Sequence, residues 1–302
     1  MSVSLRQLQV FVAVAQEKTI TAASSLLYLS KPAVSMAISE LEKQIGHNLF
    51  ERVNNRLLIN DHGRRLLPLA DELLTRSDEI LKVLDAAGEL SGHLRIGASD
   101  TIGNQLVPFL LRDFRNQSNH IDQELMISNS QAIIDRLMAF ELDVGLIEGQ
   151  GENKHLLGNT ELIMDPWLSD EMCVACAVDH PLANVENLTM FDLENHHWVL
   201  REIGSGTREH FLSRMAPRLE HWTVAFELRT TEAIINCAAA GLGLAYLSKL
   251  AARHAVSNNR LHLLEAPLDL RRQYWIARHK DKHLSPLLKR FISFGANWQI
   301  SD

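Results

Sequence analysis

Cysteine, aromatic residues and long apolar runs are all scarce in this chain, and each scarcity closes off a class of function. Of 302 residues, three are cysteine and 6% are aromatic. Three thiols cannot build the dense disulfide framework of a small secreted domain. Cys173 and Cys176 form a C-x-x-C, but within a run, Glu171 to Val178, that reads as a strand. Strand residues three apart face opposite ways and no second cysteine pair exists, so buried thiols are expected rather than a zinc or redox site. No apolar stretch reaches membrane-spanning length. Arg6, Gln7, Gln9 and Glu17 interrupt any apolar core near the N-terminus, so a signal peptide is not expected and a cytoplasmic location is. The signatures of catalysis are missing as well. His196-His197 lacks metal-ligand spacing, Gly204-Ser205-Gly206 is not a G-x-S-x-G elbow, and no P-loop or G-x-G-x-x-G follows a strand. No enzyme activity, catalytic residue, metal or cofactor is expected.

Positive charge is also short overall, with a net −7, but its distribution is uneven. Residues 1–65 hold eight Lys and Arg against five Asp and Glu, a net +3, and the remainder holds 22 against 32, a net −10. A basic head on an acidic body suits a DNA-binding module joined to something else. The length predicts two or three domains.

The head reads as helices over 5–17, about Thr21–Tyr28 with Thr21 as its cap, and Ser30–Gly46. In the third, Ser30 is the N-cap, Pro32 sits in the first turn and Gly46 stops the helix. Ala33, Val34, Ala37, Ile38, Leu41 and Ile45 make its inner stripe, while Ser35, Ser39 and Lys43 fall outside near Lys31. Hydroxyls on such a face can meet base edges and ammonium groups can sit on phosphates. A plain solvated amphipathic helix would show the same face. The neighbouring helices and a hairpin, Leu49–Asn60 with Asn54-Asn55 at its turn and Arg52 and Arg56 beside it, make the whole a winged helix-turn-helix. The DNA-binding candidates are Ser30, Lys31, Pro32, Ser35, Ser39, Lys43, Arg52 and Arg56.

Leu5-Arg6-Gln7-Leu8, Thr21-Ala22-Ala23, Leu29 through Ser35, Ile38-Ser39-Glu40-Leu41-Glu42, Leu49-Phe50-Glu51-Arg52 and His62-Gly63 resemble the LysR-type transcriptional regulators. The resemblance runs without a gap over the first 65 residues and then in domain order to the end. Two positions depart from the family pattern: Lys31 stands where Gln is common, and Met36 where a basic residue is. The resemblance implies a promoter-binding homodimer joined by antiparallel linker helices, assembling into a homotetramer.

Leu66, Ala70, Leu73, Ser77, Ile80, Leu84 and Ala87 alternate four and three apart over 61–90, the seam of a two-chain contact. A lone amphipathic helix packed on its own domain is the alternative. Ser91-Gly92 then reads as a hinge. Beyond it strands alternate with helices, predicting an α/β body of two lobes with the periplasmic-binding-protein arrangement that the family shares. The expected domains are 1–60, 61–90 and 91–302, with lobe I at 92–164 and 268–302, lobe II at 165–267, and crossovers near Asp165-Pro166 and Ala266-Pro267.

In open α/β lobes, ligands bind beyond the carboxyl ends of strands. Four such ends are rich in hydroxyls: Ser99 through Ile102 with Thr101, Ser128-Asn129-Ser130, Gly204 through Arg208 with Ser205 and Thr207, and Thr230-Thr231. Ordinary N-capping explains each one singly; all four around one cleft suggest a small-anion site using free amides and helix dipoles, with no need of a buried Lys or Arg. Glu148 falls at the same rim, where it either accepts a proton from the ligand or pairs with Arg201 or Arg208. The effector candidates are therefore Ser99, Thr101, Ile102, Asn129, Ser130, Glu148, Ser205, Thr207 and Thr231. Asp100 through Asn104, Asn129-Ser130-Gln131, Ile147-Glu148-Gly149 and Gly204 through Glu209 resemble the YeiE-type branch of the family, which implies sulfite as effector. A small organic acid or amino acid in the same cleft is the alternative. An exported solute-binding protein would share the two lobes but not the winged head, and a structural adaptor would not need four polar helix ends.

Overall fold

A computed structural model describes residues 3–54, 56–82, 90, 92–149 and 160–300. The hairpin residue Asn55, the seam positions Leu84 and Ala87 and the hinge residue Ser91 lie outside the described residues.

The head is built from α1 (Leu5–Glu17), α2 (Ile20–Leu26) and α3 (Lys31–Ile45), followed by a hairpin of β1 (Phe50–Val53) and β2 (Arg56–Ile59). A capping box opens α1, where the Ser4 hydroxyl accepts from the Gln7 amide and the Gln7 side chain accepts from the Ser4 amide. Thr19, not Thr21, caps α2, because the helix begins one residue before the expected start and its first free amides belong to Ala22. Ser30 and Gly46 bound α3 as expected; Gly46 sits at φ +82, where a side chain would be strained. Phe11, Val14, Ala23, Val34, Leu41 and Leu49 form the core of the head.

Asn60 accepts from the Gly63 amide and starts α4 (Asp61–Lys82), which carries Pro68 inside it. Its apolar positions are divided differently from the expected seam. Ala70 is fully buried and Leu66 half-buried in the head's own core. The exposed apolar stripe is Leu69, Leu73 and Ile80.

The body has two lobes on one continuous path of strands. Lobe I orders β4 (Gln123–Ser128), β3 (Leu94–Ser99), β5 (Val144–Gly149), β11 (Arg271–His279) and β6 (Leu162–Cys176). Lobe II continues from β6 through β9 (Leu244–Ser248) and β7 (His197–Arg201) to β8 (Thr223–Leu228), with β10 (His262–Leu264) beside β6. The helices are α5 (Asp100–Gln105), α6 (Val107–Ser118), α7 (Ser130–Met138), α8 (Gly206–His210), α9 (Thr231–Ala239), α10 (Lys249–Ser257) and α11 (Pro286–Asn297). α5 and α6 meet at Leu106, and Pro108 enters the first turn of α6. The first crossover is not a break at Asp165-Pro166. β6 runs straight through those residues and changes lobes where its partner changes from Arg271 at Glu171 to Ser248 at Met172. Cys173 and Cys176 lie on opposite faces of β6 in separate cores, and burial pushes their thiols up to about 12 and about 11. Among the described residues no cluster suited to a metal exists, and no helix is long and apolar enough to cross a membrane.

Head and body are docked as well as linked. Phe140, at φ +59 in the turn between α7 and β5, buries its ring in the head's core. Its carbonyl accepts from Gln16 Nε2 of α1 and from Arg95 Nη1 of β3, at 3.4 and 3.0 Å. Beside it, Asp71 of α4 and Asp143 hold Arg95 and Lys282 in a four-charge cluster. Lys282 Nζ is 2.6 Å from Asp71 and 2.7 Å from Asp143.

Burial pushes the Asp143 carboxyl up, but Lys282 and Arg95 outweigh it and hold the group at about 2. A folded pKa depressed below the unfolded value stabilises the protein above about pH 4, and that stabilisation is lost as the pH falls toward 2. It amounts to about 2 kcal/mol. In urea unfolding of the full chain at a series of pH values, wild-type stability should fall more steeply below pH 4 than that of Asp143→Asn; parallel curves would rule out Asp143 as the titrating group.

Candidate functional site

Two surfaces carry the sequence-predicted residues. The first is the outer face of α3 with the adjoining hairpin. Val34, Ile38 and Leu41 point into the core, which turns Lys31, Pro32, Met36, Ser39 and Lys43 outward. The Ser30 hydroxyl is occupied as the N-cap, accepting from the Ala33 amide at 3.3 Å. Ser35 is half-buried at the flank, where it lines a small pocket of about 230 Å³ with Ser39, Glu42, Asn48 and Arg52. Glu42 accepts from the Leu49 amide at 2.7 Å and so fixes the hairpin to α3. Arg52 and Arg56 are exposed on the two hairpin strands, paired opposite Leu57 and Val53. Lys31, Lys43, Arg52 and Arg56 make no ion pair among the described residues. Their charge is free for phosphates.

The second is the seam between the lobes. The parallel neighbours β3 and β5 end at Ser99 and Gly149, so α5 and the Glu148 carboxylate one residue before that end emerge side by side. Ser99, Thr101, Ser130, Glu148, Ser205 and Thr207 are all buried. Ser130 donates to the Glu148 carbonyl at 3.0 Å and Thr207 donates to Glu148 Oε2 at 3.0 Å. Gly206 permits this approach, because a Cβ there would lie 2.6 Å from the Glu148 carbonyl oxygen.

Arg272 lies at the centre. Its Nη1 is 2.8 Å from Glu148 Oε2 and its Nη2 is 2.7 Å from Asp170 Oδ2. It also donates to the Thr207 and Tyr274 hydroxyls. The expected anion site without a buried cation is therefore corrected, and so is the partner of Glu148, which is Arg272 rather than Arg201 or Arg208. Burial pushes the Glu148 carboxyl up, and the Arg272 guanidinium outweighs it and holds it below the ordinary range. Burial drives the nearby His210 imidazole down to about 4, with Arg272 adding to the effect, so the ring is neutral; it shares a 2.7 Å hydrogen bond with the Tyr246 hydroxyl.

Thr231 and Asn129 belong to a second group farther along the seam. Asp100 of lobe I accepts from the Thr231 amide at 3.0 Å and pairs with Arg201 of lobe II at 3.1 Å. The amide expected to be free at the start of α9 is thus occupied by the protein's own carboxylate. Asn129 caps α7 and donates to Glu202 at 3.1 Å. A cavity of about 1060 Å³ opens on this side, with Asn104, Asn129, Arg201, Arg229 and Thr231 in its wall. Ile102 is a core residue of lobe I. The N-cap side chains of α5 and α8, Ser99 and Ser205, make no capping bond.

Sequence reasoning missed Arg272 and Asp170, and it offered Arg201 to Glu148 rather than to Asp100, its partner here. For Arg272 a signal existed: strand alternation places it on the face of Tyr274 and Ile276, both apolar-core positions.

Residues 5–64 match the family described as bacterial regulatory helix-turn-helix protein, lysR family, and residues 87–298 match the LysR substrate binding domain. The uncharacterized HTH-type transcriptional regulator YeiE of Escherichia coli K12 is 38% identical over 295 residues, covering 97% of each chain. The HTH-type transcriptional regulator CysL of Bacillus subtilis 168 is 32% identical over 262 residues, 85% of this chain and 84% of that one. Full-length OxyR of Pseudomonas aeruginosa superimposes with a TM-score of 0.72 over 98% of this chain and 94% of that one, at 22% identity, a likeness of fold.

Removing Arg272 alone leaves Glu148 and Asp170 buried without their cation. Arg272→Met should lower the unfolding free energy by about 3–5 kcal/mol, and adding Glu148→Gln with Asp170→Asn should recover part of the loss. A triple variant no more stable than the single one in urea titration would place the cost elsewhere.

Proposed function

The chain belongs to the LysR family of DNA-binding transcriptional regulators, with a helix-turn-helix head and an effector-binding body, and from that premise we propose that the body senses a small oxyanion, sulfite first, held at the lobe seam. The observation that carries this reading is a pair of buried polar atoms left without hydrogen-bond partners: Ser99 Oγ and Glu148 Oε1. Ser99 has a proton to give and ionised Glu148 can only accept. A ligand that satisfies both needs an acceptor oxygen and a donor hydrogen. Hydrogensulfite has both, and sulfate near neutral pH lacks the proton, so Glu148 acts as a selectivity device. Thr101, Ser130, Ser205 and Thr207 complete the polar wall, the amide of Ile102 at the start of α5 is offered as a further donor, and Asn129 and Thr231 stand farther along the seam.

A small organic acid or amino acid is the second reading. The 1060 Å³ cavity favours it, since Arg229 in its wall is exposed and has no ion pair among the described residues.

The head would lay α3 into a major groove with Lys31, Pro32, Ser35, Ser39 and Lys43 toward the DNA, Ser30 holding the helix start, and Arg52 and Arg56 on the backbone or minor groove. The chain would work in the cytoplasm as a homodimer joined through α4, doubled to a homotetramer. The exposed stripe Leu69, Leu73 and Ile80 supports the α4 contact. Ligand-driven change in the lobe angle would reset the spacing of paired heads.

Titration calorimetry of the full chain decides the effector. Sulfite binding that weakens at least tenfold in Ser99→Ala supports the reading, and tight binding of a carboxylic acid with none of sulfite sinks it. For the assembly, Leu69→Glu with Leu73→Glu should reduce the mass seen by light scattering, because two unpaired charges enter the apolar contact. An unchanged mass would mean that α4 is not the contact.

A further inference from the structure

We propose that Met36 is a base-reading residue of this protein, recognising the 5-methyl group of thymine. The inference rests on the DNA-binding reading of the head and adds to it what the head reads.

The geometry comes from α3. Each residue turns the helix by about 100°. Val34 and Ile38, two residues to either side of Met36, are therefore turned roughly 160° from it, and both are buried in the head's core with Leu41. Met36 is 62% exposed and so stands at the middle of the outward face. Its neighbours one turn away are Pro32, Ser39 and Glu40, all exposed, and Lys43 is two turns along the same line. Ser35 lies to one side, half-buried toward the hairpin. When α3 enters a groove, the side chain reaching deepest is the thioether, not a hydroxyl.

The chemistry of that side chain limits what it can read. Met has no donor, and its sulfur is a weak acceptor. Set against the exocyclic amine of adenine or cytosine, it would leave a polar edge dry and unpartnered. Thymine alone among the four bases presents a methyl group in the major groove. An unbranched, polarisable side chain packs well on such a group. The free charges of Lys31, Lys43, Arg52 and Arg56 hold the backbone and carry no sequence information, so the reading falls to this face.

The experiment uses the full chain and needs no knowledge of the natural operator. Random-sequence duplexes are enriched on the wild type, and the selected duplex is remade with each thymine in turn replaced by uracil, which removes only the methyl. At one or more positions the wild type should bind the uracil duplex about fourfold more weakly, the factor that burying one such carbon group supplies. Met36→Ala should show no penalty at those positions, and Met36→Leu should keep it. Because Met36 packs on nothing in the core, both variants should melt like the wild type and keep its salt dependence. A wild type insensitive to every replacement, or an equal penalty in Met36→Ala, would overturn the role of Met36 alone. A chain that enriches no duplex at all would overturn DNA binding and this inference with it.

Discussion

One buried cation ties together the two strands by which the chain crosses between the lobes. Arg272 opens β11, the strand that returns the chain from lobe II to lobe I, and β6 beside it is the strand that left. Both crossings therefore pass within reach of one guanidinium. It is paired with Glu148 at the end of β5 and with Asp170 on β6, and it touches Thr207 on α8 of the other lobe. Two carboxylates for one guanidinium leave this group with net negative charge. That charge is tolerable because the hydroxyls of Thr207 and Ser248 donate to the two carboxylates.

The Asp100 clasp repeats the principle at the other end of the seam. A carboxylate from lobe I sits on the amide and hydroxyl at the start of α9 and on Arg201. Helix ends attract negative charge, and here the charge comes from the neighbouring lobe. The body thus has the Asp100–Arg201 ion pair and the Arg272–Thr207 hydrogen bond across the seam, and its angle depends on both.

The head was legible in detail because its rules are local. Ser30, Pro32 and Gly46 each act within a turn of their own position, and the inner stripe of α3 follows from helical period alone. The order of the body's strands was legible for the same reason. What escaped were features set by distant pairings. The first crossover was expected near Asp165-Pro166, yet β6 continues there because β11 supplies partners on both sides of a bulge at that point. The hydroxyl-rich turns did gather along one seam, and Ser99, Thr101, Ser130, Glu148 and Thr207 did come together around one spot. Their charge balance was misjudged because Arg272 lies more than a hundred residues along the chain from Glu148. Likewise Leu66 and Ala70 fit a two-chain seam by spacing, but the neighbouring head claims them for its own core.

Phe140 settles where this protein can be divided. The head's core is finished by a ring that belongs to lobe I, carried there on a turn at φ +59 and fixed by carbonyl contacts from both sides. Cutting the chain at the linker would leave the head with an open apolar socket and the body with a bare aromatic ring. Asp71 would at the same time lose both of its cations. The boundary of the cooperative unit therefore does not coincide with the boundary of the sequence families, and the isolated pieces are different molecules from the halves they are cut from.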